Sequence, residues 1–120
     1  MKYKETTEQI IGSAFEVYNH LAYGFLEKVY QRAMQVELKL RGIDAELEKQ
    51  IKVNYKEFLV GDYSADILVE DQVLVELKIA PSYSSRDEPQ LLNELKATNF
   101  KVGLLINYGK EKVEFKRLVY

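Results

Sequence analysis

The sequence predicts an α/β (α+β) chain, a mixed central β-sheet flanked by helices, in the order α-α-β-β-β-β-α-β-β. Three observations carry this. Apolar residues recur at helical spacing from Ile10 to Leu40, then switch to strand spacing from Glu48. A second helical stretch, opened by Asp87-Glu88-Pro89, interrupts the strands. The 120 residues are 47% apolar, enough for the core of one domain spanning 1–120.

The elements follow in chain order. Thr6-Thr7-Glu8-Gln9 resembles a capping box, and Ile10, Ile11, Ala14, Phe15, Tyr18 and Leu21 follow at helical spacing. Gly24 punctuates this helix. A second runs from about Phe25 to Arg41, with Leu26, Val29, Tyr30, Ala33, Val36 and Leu40 as its stripe and Gly42 as a left-handed stop. From Glu48 to Tyr55 the pattern alternates, placing Ile51, Val53 and Tyr55 on one face. Phe58 to Val60 is a short strand that ends at Gly61-Asp62. Ser64 to Val69 and Val73 to Ile79 are two strands joined by Glu70-Asp71-Gln72. After a loop with Pro81, Ser82, Ser84 and Ser85, Asp87 caps a helix that has Pro89 in its first turn and runs to about Asn99. Lys101 to Asn107 is a buried strand, Tyr108-Gly109-Lys110 a turn, and Val113 to Val119 the last strand.

The hairpin from Ser64 to Lys78 carries chemistry. Side chains alternate along a strand, so Ala65, Ile67 and Val69 share a face with Val73, Val75 and Leu77. Asp66 and Leu68 share the other with Leu74, Glu76 and Lys78. A three-residue loop pairs Val69 with Val73 and sets Asp66 across from Glu76; a two-residue turn would set it across from Leu77. Both faces hold large apolar residues, as in a central, covered strand. Two carboxylates facing each other there repel, and a hard divalent cation with oxygen ligands offsets that repulsion. Lys78, on the same face, is placed to orient an attacking water or to stabilise charge on a phosphate. The alternative is a structural ion cluster in which Lys78 neutralises both acids.

Composition narrows the partners. With 17 basic and 19 acidic residues the net charge is −2, which argues mildly against a sequence-independent DNA binder of high affinity. A local basic surface and a bound cation would suffice for an enzyme. There is no cysteine, so neither a disulfide framework nor thiolate chemistry enters. No apolar run reaches the length of a membrane span, and Met1 to Glu5 leads into an amphipathic helix instead of a leader's apolar core. A cytoplasmic protein without a membrane partner is the expectation.

Asp66…Glu76-Leu77-Lys78 resembles the signature of the PD-(D/E)xK nuclease superfamily. The likeness extends to Gly24-Phe-Leu-Glu27-Lys-Val-Tyr30, similar to the Gly-x-x-Glu-x-x-Tyr signature of its GxxExxY family. It extends also to Gln90-Leu-Leu-Asn-Glu-Leu-Lys-Ala-Thr98 and Lys101-Val-Gly-Leu-Leu-Ile-Asn-Tyr-Gly109. The resemblance implies a restriction-endonuclease-like core. It also implies that Asp66 and Glu76 bind Mg²⁺, with Mn²⁺ as a substitute, helped by the Leu77 carbonyl. Lys78 would be the catalytic lysine, Glu27 a further acidic residue, and Gln90 would complete the site. The chain departs from the family pattern at Ala65 (proline), Glu94 (an aromatic), Asn99 (glycine), and Asp87 or Glu88 (histidine).

From the helix pattern alone, Glu27 and Tyr30 would be a solvated and a core residue, and Gln90 an ordinary first-turn residue. His20 is expected at the surface near a helix C-terminus. The nine tyrosines are expected mainly in packing, and Lys110, Lys112, Lys116 and Arg117 on a solvated edge strand. The leading expectation is a metal-dependent nuclease hydrolysing phosphodiester bonds of nucleic acid, DNA favoured over RNA. The alternatives are a non-catalytic nucleic-acid-binding or protein-interaction module on the same fold, and a structural protein with a fold-specifying ion network. A chain this small shows no recognition domain, so a homo-oligomer or a partner protein is expected.

Overall fold

The computed structural model describes residues 3–120. Met1 and Lys2, part of the expected lead into the first helix, lie outside the described residues. Helix α1 (Lys4–Leu21) begins at Tyr3, one turn earlier than a cap at Thr6 would allow. Lys4 and Glu5 are good helix formers, and the Thr7 N–H closes on the Tyr3 carbonyl at 2.9 Å. Thr6 does not cap; its hydroxyl donates to Gln72 Oε1 at 3.1 Å, tying the helix to the hairpin turn.

Helix α2 (Glu27–Leu40) is rotated from its expected phase. It buries Tyr30, Gln31, Met34 and Leu38, while Leu26, Val36 and Leu40 are among the most exposed apolar side chains. The buried face is itself an apolar row, Tyr30, Met34 and Leu38 at four-residue spacing, and Gln31 is carried in beside it, its Nε2 donating to the Asp66 carbonyl at 2.8 Å. Gly42 ends the helix at φ 77, as its spacing predicts.

Five strands follow: β1 (Ala45–Tyr55), β2 (Phe58–Val69), β3 (Val73–Lys78), β4 (Val102–Tyr108) and β5 (Val113–Val119), with α3 (Glu88–Thr98) between β3 and β4. They lie side by side in chain order, parallel only between β3 and β4. The order is therefore α-α-β-β-β-α-β-β. The expected break at Gly61-Asp62 is absent, and Phe58–Val60 is one strand with Ser64–Val69. Gly61 pairs with Val53 inside the ladder, where a Cβ would stand 3.2 Å from the Val53 Cβ. Its glycine serves a close approach, not a turn.

The β2–β3 register is the predicted one, Val69↔Val73, Leu68↔Leu74 and Ile67↔Val75. Glu70 and Asp71 form the turn with φ of 53° each. One core face joins Ile67, Val69, Val73, Val75 and Leu77 to Ile10, Ala14, Tyr30, Met34 and Leu38 of α1 and α2. The other joins Leu68, Leu74 and Leu105 to Leu91 and Leu95 of α3. Ala65, expected with Ile67 and Val69, packs on the α3 side, beside the point where Glu48 of β1 turns left-handed at φ 55. Gly103 admits α3 closely, since a Cβ there would meet Leu91 at 3.0 Å.

Asp87 does not cap α3 with its side chain. A 3-10 turn, Ser85–Asp87, precedes the helix, and Ser84 Oγ accepts the Arg86 N–H. Pro89 stands in the first turn and the helix ends at Asn99, both as expected, with Asn99 itself left-handed at φ 64.

Beyond Ala65, β2 pairs only with β1. The two strands continue as a ribbon to a turn at Lys56-Glu57, whose φ values are 48° and 77°. Tyr55, Phe58, Leu59 and Val60 at its end are exposed, and the molecule's long axis reaches 47 Å.

Candidate active site

The site forms where β2 leaves β3. Strand pairing ends at Ile67↔Val75, and Asp66 supplies the next bond with its side chain: Oδ2 accepts the Leu77 N–H at 2.7 Å. With its carbonyl taken by Gln31, Asp66 is held at both ends. Glu76 stands on β3, 5% exposed, on the same face as Leu74. Lys78 closes the strand, half-buried.

Glu27 arrives from the other face. It is the first residue of α2, after Leu26 in extended conformation. Tyr30, fully buried, fixes this corner: its hydroxyl donates to the Ala22 carbonyl and accepts the Phe25 N–H at 3.3 Å. Its ring stacks on Tyr108 at 4.4 Å. The Gly24, Glu27 and Tyr30 triplet thus divides into a turn at φ 121, a functional carboxyl and an anchor. Glu27 keeps much of its surface in solvent, yet its carboxyl hydrogen-bonds that of Asp66. Partial desolvation, that hydrogen bond and the Asp66 charge push it up to about 7, against a smaller lowering by Lys78.

Glu76 is raised further above the carboxylate range. Burial is the largest cause, followed by the Asp66 charge and by Glu94, with which it hydrogen-bonds; Lys78 lowers it in part. Glu94, on the inner face of α3, is 0% exposed. Two carboxyls can hydrogen-bond only when one carries a proton. The acids therefore stand as two couples, Glu27–Asp66 and Glu76–Glu94.

Gln90 lies exposed in the first turns of α3. It does not reach Asp66 or Glu76; its Nε2 donates to Glu94 Oε2 at 3.1 Å. Lys78 makes no ion pair among the described residues, so the structural cluster in which it neutralises both acids is not formed. It lines a pocket of about 20 Å³ with Ser82, Ser84, Arg86 and Asn107. Lys78 and Arg86 thus flank a small recess that Ala80, Asp87 and Leu105 also line. Asn107 holds the chain beyond Lys78, accepting the Ala80 N–H at 3.1 Å and donating to its carbonyl at 3.0 Å.

Sequence patterns passed over Gln31, Glu94 and Asn107. Glu94 was within reach, being four residues after Gln90 and so on the same helix face. Gln31 carried no signal, because a glutamine inside a helix is ordinarily solvated.

Carboxylate oxygens suit a hard divalent cation. Two of them, Glu76 Oε1 and Glu94 Oε1, are buried without a donor, which a cation would remedy. Among the described residues no three His, Cys, Asp or Glu side chains are drawn close enough to share an ion. The donor set fits a hard cation by its chemistry.

A family model for the PD-(D/E)XK nuclease superfamily matches residues 4–118. The chain matches no curated protein. Among solved structures it is similar to that of SSO0001, with a TM-score of 0.56 and 15% identity, over 94% of this chain and 76% of that one. It is also similar to an alkaline exonuclease from Laribacter hongkongensis, with a TM-score of 0.42 and 13% identity, over 95% and 82% of the two chains. At 15% identity the likeness to SSO0001 bears on fold alone. No helix among the described residues is long and apolar enough to cross a membrane.

Proposed function

The chain belongs to the PD-(D/E)XK nuclease superfamily, and from that premise we propose that it is a metal-dependent nuclease hydrolysing phosphodiester bonds, with DNA the favoured substrate over RNA. The carrying observation is the convergence of Glu27, Asp66, Glu76 and Lys78, from one helix and two strands, at the splayed end of the β2–β3 hairpin. The Gly24, Glu27 and Tyr30 corner supports placing the chain in the GxxExxY family. We take residues 1–120 as one working unit in the cytoplasm.

Asp66, Glu76 and the Leu77 carbonyl would hold Mg²⁺ or Mn²⁺. When bound, such an ion supplies positive charge at the phosphate and lowers the pKa of an attacking water. The chain's own groups do the rest. Asp66, fixed through Leu77 and Gln31, presents its second oxygen without freedom to swing. Lys78, free of any ion pair, faces developing charge on the phosphate, and Arg86 lies across the same recess. Glu27, near 7, suits an acceptor of the water's proton at neutral pH. Gln90 acts through Glu94 as a positioning residue.

The test is incubation with single- and double-stranded DNA and RNA in Mg²⁺ or Mn²⁺, with Asp66→Ala and Lys78→Ala as controls. Metal-dependent cleavage lost in both variants supports the reading. No cleavage of any substrate, with metal affinity unaltered by Asp66→Ala, defeats it. A second reading, metal or nucleic-acid binding without turnover, is favoured by the small size of the chain and its net charge of −2. Calorimetric metal binding without product would select it.

A further inference from the structure

We propose that Glu94 is a metal-ligating residue of this site, donating a carboxylate oxygen beside Glu76. The proposal rests on the nuclease reading only for the presence of a divalent cation.

Helix α3 turns Leu91, Glu94 and Leu95 inward, all fully buried. The two leucines fill the core beside Leu74 and Leu105. An apolar side chain between them would satisfy the same packing, so a carboxyl there is unfavourable unless something compensates it. Half of the compensation is visible: the Gln90 amide bonds Oε2. The other oxygen, Oε1, is buried and meets no donor. No lysine or arginine pairs with Glu94 among the described residues. Its neighbour is instead another acid, Glu76, within hydrogen-bonding reach and with its own Oε1 equally without a donor. Two buried carboxyls that must share a proton, each with an Oε1 that no donor from elsewhere reaches and one braced from behind, are an arrangement a hard cation stabilises and water-excluded protein does not.

The brace also explains Gln90. Among the described residues its amide hydrogen-bonds Glu94, so its contribution to the site passes through that carboxyl, as partners of ligating carboxylates commonly do. Gln90 orients; Glu94 binds.

The experiment is Mn²⁺ titration by calorimetry, with melting temperature read with and without the metal, on wild type, Glu94→Gln, Glu94→Asp, Gln90→Ala and Asp66→Ala. Glu94→Gln is expected to weaken Mn²⁺ binding by about 10- to 100-fold and to shrink the metal-induced rise in melting temperature. It should leave the metal-free protein at least as stable, because the amide can donate to Glu76 where two buried carboxyls had to share a proton. Glu94→Asp, which keeps the carboxylate, should bind more tightly than Glu94→Gln, and Gln90→Ala should fall between wild type and Glu94→Gln. Wild-type affinity in Glu94→Gln, with binding lost in Asp66→Ala, overturns this proposal and leaves the nuclease reading standing. Equal affinity in wild type and Asp66→Ala overturns both.

Discussion

Glu76 carries the tension of the site: it is buried in a central strand with Asp66 and Glu94 close by. An acid so placed is destabilising when ionised. Glu76→Gln should therefore raise the metal-free stability by about 1 kcal/mol, seen as roughly 4 °C in a thermal melt, while abolishing cleavage. A purely structural role would give a fall in melting temperature instead. Titration follows the same logic. Glu27 moves from 4.5 unfolded to about 7 folded, and Glu76 moves in the same direction. The folded protein thus binds more protons across that window, and stability falls as pH rises through it. Glu27's contribution is complete below about 4.5 and is lost by about 7. In metal-free melts over this range, wild type should lose more than Glu27→Gln does; parallel curves would show that the two carboxyls do not interact.

At the scale of elements, the corner between α1 and α2 decides where Glu27 points. Tyr30→Phe keeps the stacking on Tyr108 but removes the hydroxyl shared by Ala22 and Phe25. Ala22 is exposed, so its carbonyl can turn to water and the lost hydrogen bond costs about 0.5–1.5 kcal/mol. Denaturant melts should show that loss, and cleavage should fall further than stability accounts for, because Glu27 is no longer held. The corner was legible as a motif, and the β2–β3 register was legible from Val69↔Val73 to Ile67↔Val75, since alternation and a three-residue turn admit one register; the change of face at Ala65 was not. The phase of α2 was not, because the helix carries two apolar rows and the one that is buried, Tyr30, Met34 and Leu38, brings Gln31 in with it to the Asp66 carbonyl. Likewise Gly61 is a turn signal by composition and a strand residue by contact. Glu94 was written in the sequence only as a helical neighbour of Gln90; that it lies buried beside Glu76 depends on how α3 settles across the sheet.

For the whole molecule, a ligand that binds only the folded state stabilises it in proportion to saturation. Metal at a hundred times its dissociation constant should add about 2.7 kcal/mol to unfolding stability, and Asp66→Ala should abolish the increment; a persisting increment would place the ion elsewhere. The β1–β2 ribbon has a different consequence. Its turn at Lys56-Glu57 stands at the far end of two strands that, beyond Ala65, have no third to lean on. Trypsin should nick there first. The cut would part the chain between the fragment bearing Glu27 and the one bearing Asp66, Glu76, Lys78 and Glu94. Ladder bonds from Ala45↔Val69 onward would still clasp the halves together. Separately expressed fragments 1–56 and 57–120 should therefore reconstitute activity on mixing, making this small chain a split reporter whose signal depends on its own reassembly.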